Sequence, residues 1–361
     1  MTETKYSIAY IDESPEELNR YQELLQSSNL VTVNPVEPSP NVIDTMSGLD
    51  ASLILIDYVL DEDWKGRPRL EYRGGLLAAA ARQKYPETPI VLLTKQKFVK
   101  TELPQAEALA SAYDEKLVKS DITDDSSHVV RMLINLIDGF ERLSKSAKKD
   151  WDGLLAALDA TGREDELLRS AQPPITKEGE WRVPEAAGWI REVLVKYPGI
   201  LYDRLHAATA LGIEEAAFQS RHVQEYFEES RYAGAFASDD ELRWWKMRLL
   251  VRANEALVNA EMAGDPAAKF SDAWKTLKSE ALQPSKCVFS GEEHADCVCF
   301  VLRRPVMRQY SLPIIPDNRP SVMDTARVSF KAVLEENFDE RWIREDARRS
   351  LKRIRKAKGD S

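Results

Sequence analysis

The sequence predicts an α/β domain with a doubly wound parallel sheet at the N-terminal end, then a mostly α-helical region, then a small α+β C-terminal part. Apolar segments alternate with helical segments over residues 1–126, and several of them are continuous, as in strands buried on both faces. Residues 185–282 instead show the helical spacing of apolar residues. The length of 361 residues corresponds to two or three domains.

Composition excludes several classes of protein. Hydrophobic residues make up 43% of the chain, which is enough for real cores and argues against a disordered protein. No apolar run approaches the roughly 18 residues of a membrane span, and the first residues lack the basic and apolar segments of a secretory signal. Three Cys in 361 residues exclude a disulfide scaffold, so we expect a cytoplasmic protein without a membrane span.

The predicted elements of residues 1–126 follow in the order strand, helix, strand. The first strand ends at Asp12, and Ser14 and Pro15 then provide the N-cap and the first residue of a helix. Further strands are predicted over residues 30–36, 53–56, 89–94 and 113–119, and further helices over 75–84 and from 126 onward. This alternation indicates a parallel sheet covered by helices on both faces.

Polar side chains follow the predicted strands at the edge where such sheets place their chemistry. These residues are Asp12, Glu13, Asp57, Thr94 and Lys119. Three carboxylates at one edge repel each other unless a cation joins them, and hard oxygen ligands suit Mg²⁺. A hydroxyl and an ammonium group beside them could stabilise a phosphoryl group on one of the carboxylates.

In this order the five residues resemble the pattern of two-component response-regulator receiver domains, over about a third of the chain. The resemblance implies a flavodoxin-like fold with five parallel strands and phosphorylation of Asp57 by a sensor histidine kinase or an equivalent phosphodonor. Asp12, Glu13 and Asp57 would hold Mg²⁺. Thr94 and Lys119 would contact the phosphoryl oxygens, and the domain would catalyse its own phosphoryl transfer and hydrolysis. Divergent receivers of this kind also point to a prokaryotic conflict or defence system.

The sequence departs from the family pattern at the residues that read out phosphorylation. Ser120 stands where the family has Pro, and Lys116 stands where it has an aromatic residue, with Tyr113 the nearest aromatic. The loop after Asp57 is long and strongly charged. An alternative interpretation is therefore a constitutive scaffold, in which a receiver-like domain docks partners without being phosphorylated.

The helix from residue 126 is predicted to continue as one connecting helix over 127–169, before a Pro-containing linker over 170–184. Its apolar residues form a stripe that could be the seam of a homodimer or could simply pack on its own sheet. The stripe consists of Leu133, Leu136, Ile137, Phe140 and Leu143.

Residues 185–282 are predicted to form a helical domain, with helices over 185–196, 201–211, 214–230, 240–261 and 268–282. Ala208, Gly212 and Phe218 have the spacing of a helix-turn-helix. A second alternative is therefore a DNA-binding transcriptional regulator that uses residues 205–230 or the basic end of the chain. The strongly acidic second helix argues against this alternative, because a recognition helix must face dense phosphate charge.

Residues 283–361 are predicted to form a hairpin followed by a basic helix. Cys287, His294, Cys297 and Cys299 lie close together in sequence, and such residues are the ligands of structural Zn²⁺. The same residues also fit an ordinary hairpin, in which residues 286–290 pair with the strand that begins at Cys297.

The end of the chain is basic: residues 341–361 hold nine Arg and Lys against three Asp and Glu, although the whole chain has a net charge of −10. Nucleic acid, an acidic membrane surface or an acidic protein face could bind there, and docking on the chain's own acidic N-terminal domain is a further possibility. The candidate residues are Arg348, Arg349, Lys352, Arg353, Arg355 and Lys356. Elsewhere nucleic-acid binding is not expected.

No phosphate-binding Gly-rich loop, nucleophile elbow or HExxH motif is present in the sequence. We therefore expect a signal-transducing response regulator whose output is not an enzyme. Its helical output region would act through protein–protein interaction with an effector protein.

Overall fold

The chain forms two compact units in the computed structural model. Its described residues are 6–60, 70–95, 112–315, 320–335, 338–349 and 351. The N-terminal unit comprises Met1–Ala157 and Pro174–Gly188, and the C-terminal unit comprises Leu158–Pro173 and Trp189–Ser361. Within the described ranges, no helix has both the length and the apolar character needed to cross a membrane.

A five-stranded, all-parallel sheet is the centre of the N-terminal unit, as predicted. Its strands are β1 (Tyr6–Ile11), β2 (Val31–Val36), β3 (Leu53–Asp57), β4 (Ile90–Thr94) and β5 (Glu115–Val118). Their order is β2-β1-β3-β4-β5, which is the flavodoxin-like doubly wound order. Every residue of β3 and β4 is buried, which explains their uninterrupted apolar sequences.

Helices cover this sheet. They are α1 (Pro15–Gln26), α2 (Val42–Thr45), α3 (Gly74–Lys84), α4 (Lys119–Asp124), α5 (Ser126–Ser144) and α6 (Trp151–Ala157). The start of α1 agrees with the sequence prediction, because the Ser14 side chain accepts a hydrogen bond from the Glu17 backbone N–H at 3.3 Å and Pro15 is the first helical residue.

The predicted connecting helix over 127–169 is wrong, because α5 ends at Ser144. The Lys149 ammonium donates hydrogen bonds to the carbonyl oxygens of Leu143 and Ser144, at 2.6 and 3.0 Å, and so satisfies acceptors that the end of the helix leaves free. Two separate helices follow, α6 and α7 (Gly162–Ser170).

The apolar stripe of α5 does not form an exposed seam. All five of its residues are buried within the N-terminal unit, where α5 packs against α1. The stripe is thus the core-facing side of α5, and the predicted homodimer seam is not supported.

The predicted linker over 170–184 is also partly wrong. Trp181 is buried, its backbone N–H donates to the Lys149 carbonyl at 2.8 Å, and its indole N–H donates to the Asp150 carbonyl at 2.7 Å. Residues 174–188 therefore belong to the N-terminal unit.

The helical part of the C-terminal unit is more broken than predicted. Its elements after the helix α8 (Val183–Trp189) are a π-helical segment (Ile190–Val195), β6 (Leu201–Asp203), α9 (Arg204–Ala210), α10 (Glu215–Phe218), α11 (Arg221–Tyr226), a 3₁₀ turn (Glu228–Ser230), β7 (Arg243–Trp245), α12 (Lys246–Asn259) and α13 (Pro266–Lys278). β6 and β7 form an antiparallel pair, so the region is not all-α. Buried aromatic rings fill its core, with the Phe218 and Trp244 centroids 4.9 Å apart.

The predicted helix-turn-helix is wrong at its second helix. Residues 214–230 form two short helices, α10 and α11, rather than one recognition helix, and Phe218 and Val223 point into the core. Gly212 is required for another reason: its φ is +67°, and a Cβ there would lie 1.7 Å from the carbonyl oxygen of Ala267.

The C-terminal part is a four-stranded mixed sheet in the order β10-β11-β8-β9, followed by short helical turns. These elements are β8 (Cys297–Cys299), β9 (Arg304–Val306), a 3₁₀ turn (Arg308–Tyr310), β10 (Ser311–Pro313), β11 (Arg327–Ser329), α14 (Phe330–Glu335) and 3₁₀ turns at Glu340–Trp342 and Glu345–Ala347. The predicted hairpin is wrong, because β8 pairs with β9 and residues 286 and 293 form only an isolated bridge. Residues 338–347, within the region where the basic helix is predicted, form these last two 3₁₀ turns instead.

Candidate functional site

The five residues predicted at the strand ends lie together at the carboxyl edge of the parallel sheet. Asp12 follows β1, Asp57 ends β3, Thr94 ends β4, and Lys119 follows β5 as the first residue of α4. Asp12, Glu13 and Asp57 each bring a carboxylate oxygen to within 4.8 Å of the others. The topology alone explains this convergence, since neighbouring parallel strands end at the same edge.

Lys119 joins the carboxylates. Its ammonium lies 2.9 Å from Asp57 Oδ1 and 3.2 Å from Asp12 Oδ2, and it also contacts Glu17. Burial alone would lower the pKa of Lys119, which is 4% exposed, but the charges of Asp57 and Asp12 raise it above its ordinary value. Lys119 is therefore a permanent cation in this site.

Asp12 is held by groups that the sequence analysis missed. The Tyr10 hydroxyl donates to Asp12 Oδ2 at 2.6 Å, and the Ser14 backbone N–H donates to Oδ1 at 2.8 Å. Burial, and then the Asp12 charge, raise the pKa of Tyr10, so the phenol stays a donor. The signal for Tyr10 was its place two residues before Asp12, since alternate residues of a strand share a face.

Two of the three carboxyl groups hold protons more strongly than usual. Burial, reinforced by the Asp12 charge, raises the pKa of Glu13 to about 8. Burial also raises the pKa of Asp57 to about 7, against the opposing effect of Lys119. Burial is the first cause of both shifts, and the charge of Asp12 adds to it.

The donor set fits a divalent cation. Glu13 Oε2 is buried and has no hydrogen-bond partner in the described parts of the chain, which is a costly state for a carboxylate oxygen. Three carboxylates of this kind are oxygen ligands of the type that Mg²⁺ prefers. Asp12, Glu13 and Asp57 are therefore suited to hold Mg²⁺.

Thr94 and the residues that differ from the receiver pattern have other contacts. Thr94 is buried, and its hydroxyl donates to the Lys95 carbonyl at 3.4 Å. The Lys116 ammonium lies 5.6 Å from the centre of the Tyr113 ring. Residues 61–69 of the loop after Asp57 lie outside the described residues.

The predicted zinc site is not formed. The Cys297 thiol donates to the Val306 carbonyl at 3.0 Å, while the Cys299 and Cys287 sulfurs accept backbone N–H groups. In the described part of the chain, only Asp12, Glu13 and Asp57 bring three possible ligand atoms together, so His294 and the cysteines do not converge. Burial raises the pKa of Cys297 to about 12, which opposes the thiolate that a metal would need.

The basic tail stays a prediction. Arg349 is exposed, and Arg348 donates to the Ile343 carbonyl at 3.4 Å. The other four candidates lie outside the described residues: Lys352, Arg353, Arg355 and Lys356.

Receiver domains are among the solved structures to which the chain is similar. No protein-family model and no curated protein sequence matches the chain. The chain is similar to the structure of the response regulator TrrA from Thermotoga maritima in complex with Mg²⁺-BeF, with 21% identity over 36% of this chain and 98% of that chain, at a TM-score of 0.28. It is also similar to a CheY-like receiver domain protein from Methanospirillum hungatei, with 14% identity over 38% of this chain and 97% of that chain, at a TM-score of 0.30.

A third similar structure is the BeF3-activated DrrB receiver domain, with 16% identity over 36% of this chain and 94% of that chain, at a TM-score of 0.27. The strand order of the parallel sheet carries the fold assignment. The N-terminal unit has the flavodoxin-like fold that receiver domains share.

Proposed function

We propose that the protein is a response regulator that is phosphorylated on Asp57 with Mg²⁺ bound by Asp12, Glu13 and Asp57. The observation that carries this proposal is the surroundings of Asp57. Its carboxylate is 3% exposed, lies 2.9 Å from the Lys119 ammonium, and stands beside a Glu13 oxygen that has no partner in the described chain. A structural ion pair would not need the extra carboxylates.

The chemistry follows from these positions. An Asp57 carboxylate oxygen attacks the phosphorus atom of the donor, a P–O or P–N bond to the leaving group breaks, and an acyl phosphate forms. When bound, Mg²⁺ supplies positive charge to the phosphoryl oxygens. Lys119 balances the negative charge that remains, and Thr94 is placed to donate a hydrogen bond to a phosphoryl oxygen.

The phosphodonor in this proposal is a sensor histidine kinase or an equivalent protein. The C-terminal unit carries the output by binding an effector protein, without catalysis of its own. Its helices and small sheet form cores of their own, as a binding module requires.

The test is phosphorylation of the full-length protein by acetyl phosphate in the presence of MgCl₂. We expect intact-mass spectrometry to show the mass of one added phosphoryl group, and we expect Asp57→Asn or EDTA to abolish it. Asp124→Asn is the matched control, because Asp124 is an exposed carboxylate outside the site, and it should be phosphorylated like the wild type.

A constitutive scaffold is the second candidate function, and a specific observation favours it. Lys119 is already surrounded by Asp12, Glu17 and Asp57, and the Thr94 hydroxyl already bonds to Lys95. Absence of the added mass with both acetyl phosphate and phosphoramidate, in a protein that is folded, would reject phosphorylation and favour the scaffold.

A further inference from the structure

The C-terminal unit contains a cavity of about 570 Å³ that the receiver chemistry does not use. One wall is formed by β6, α9 and the start of α12, and the other by the strands of the C-terminal sheet. This volume lies within the range of cavities that bind small molecules. Polar and apolar groups both line the cavity, and its charged residues are two carboxylates and five cations, namely Asp296, Asp324, Lys246, Arg303, Arg308, Arg327 and Arg344.

Four of these five cations have a carboxylate partner. The shortest distances are 2.6 Å for Lys246 to Asp324, 2.5 Å for Arg303 to Asp203, 3.5 Å for Arg308 to Asp296 and 2.9 Å for Arg344 to Asp346. Arg327 differs, because no carboxylate of the described residues pairs with it.

Arg327 is partly buried and bonds only to neutral groups. Its Nε and Nη2 atoms donate to the hydroxyl and carbonyl of Ser311 and to the Arg308 carbonyl, at 2.7 to 3.0 Å. Burial, together with the charges of Arg308 and Arg344, lowers the pKa of Arg327 against the opposing effects of Cys297 and Asp296. Its Nη1 atom has no acceptor in the described chain, so the guanidinium lacks the anion that such a group usually has.

A second and independent feature of the cavity is the hydroxyl of Thr209. Thr209 lines the cavity from α9, it is 1% exposed, and its oxygen makes no hydrogen bond to any described residue. A buried hydroxyl without a partner costs stability, and a ligand atom is one way to satisfy it.

We infer that this cavity binds a small phosphorylated molecule, with the phosphoryl group on Arg327 and a hydrogen bond to Thr209. A guanidinium group donates a pair of hydrogen bonds to two oxygens of a phosphoryl group, and Arg327 is the cation of this cavity without a carboxylate partner among the described residues. Arg308 and Arg344 line the same cavity in their pairs with Asp296 and Asp346. A phosphate ester carries up to two negative charges and is therefore attracted to this cavity more strongly than a carboxylate ligand. The cavity is larger than phosphate, which leaves room for a group of about nucleotide size.

The test is isothermal titration calorimetry of the full-length protein with inorganic phosphate and with adenosine monophosphate. We expect saturable binding of at least one of the two. Arg327→Gln should weaken it about 10-fold or more, since it removes a charge-assisted contact. Thr209→Val should weaken it about 3- to 10-fold while keeping the shape of the side chain.

Arg221→Gln is the control, because Arg221 is 87% exposed, pairs with Glu225 and lies outside the cavity, and it should bind like the wild type. No saturable heat with either probe at about 10 mM would overturn the inference, as would equal binding by the wild type and Thr209→Val. Acetate binding as tight as phosphate binding would overturn the phosphoryl assignment. Circular dichroism checks folding, and Thr209→Val decides the matter if Arg327→Gln does not fold.

Discussion

Lys119 in the N-terminal unit is buried and Arg327 in the C-terminal unit is partly buried, and the charges that surround them are opposite. Lys119 lies against the carboxylates of Asp12, Glu17 and Asp57, with Glu13 close by. Arg327 has two further guanidinium groups near it and no carboxylate partner in the described chain.

The difference shows what each site lacks. Four carboxyl groups lie around the Lys119 ammonium, and burial together with the Asp12 charge raises the pKa values of Glu13 and Asp57. Around Arg327 the positive charge is in excess. A buried imbalance is costly unless a ligand of opposite sign corrects it, so the first site calls for a cation and the second for an anion.

The largest effect is expected from removing the cation of the first site. Lys119→Met leaves Asp12 and Asp57 buried beside each other, and loss of one partner of a buried ion pair typically costs about 3–5 kcal/mol of the free energy of unfolding. Urea unfolding at pH 8.5 measures this loss. Lys145→Met is the control, since Lys145 is 74% exposed in its pair with Glu141 and should change little. Equal stability of both variants would show that Lys119 is not needed to balance the carboxylates.

The next effect concerns pH and Mg²⁺. Glu13 and Asp57 bind protons more strongly in the folded protein than in the unfolded chain, so without metal the stability falls as the pH rises from about 4.5 to about 8. Mg²⁺ needs the deprotonated groups and restores the balance. The rise in Tm caused by MgCl₂, relative to EDTA, should therefore be larger at pH 8.5 than at pH 6. If MgCl₂ raised the Tm equally at both pH values, protons and Mg²⁺ would not compete for the carboxyl groups of Glu13 and Asp57.

Glu13→Gln sharpens the same comparison, because it removes one negative charge without changing the size of the side chain. In EDTA at pH 8.5 we expect a higher Tm than that of the wild type. We expect the Mg²⁺ affinity, measured by calorimetry, to fall about tenfold or more. Loss of a hydrogen-bond partner of a metal ligand already costs roughly tenfold, and Glu13 would be a ligand itself. If this variant bound Mg²⁺ as tightly as the wild type, Glu13 would not be a ligand of the metal.

The smallest effect is expected at the second site without ligand. Arg327→Gln loses hydrogen bonds to Ser311 and Arg308 but relieves repulsion between neighbouring guanidinium groups. The two effects oppose each other, so the free energy of unfolding should change by about 1 kcal/mol or less in phosphate-free buffer. A loss as large as that of Lys119→Met would mean that Arg327 is structural.

The sequence predicts the positions of those site residues that directly follow a strand of the parallel sheet. Continuous apolar strands and parallel topology were enough to bring Asp12, Asp57, Thr94 and Lys119 to one edge. Glu17 could not be found in the same way, because its contact with Lys119 depends on how α1 packs beside the sheet.

Three other features could not be predicted from the spacing of apolar residues, namely two short strands, the end of α5 and the cavity. β6 and β7 are three residues long. Strands this short do not interrupt the helical spacing of apolar residues around them, so the sequence predicts helices at both places. The end of α5 depends on the side chain of Lys149, five residues further on. The cavity around Arg327 combines residues from 198 to 344, and no spacing in the sequence signals such a combination.

The position of Trp181 has a consequence for dissecting the protein. Residues 174–188 complete the N-terminal unit although residues 158–173 before them belong to the other unit. A truncation after residue 126 or 157 removes the tryptophan that bonds to Lys149 and Asp150. A fragment that is meant to contain the complete N-terminal unit therefore has to extend to residue 188, and it carries residues 158–173 of the other unit with it.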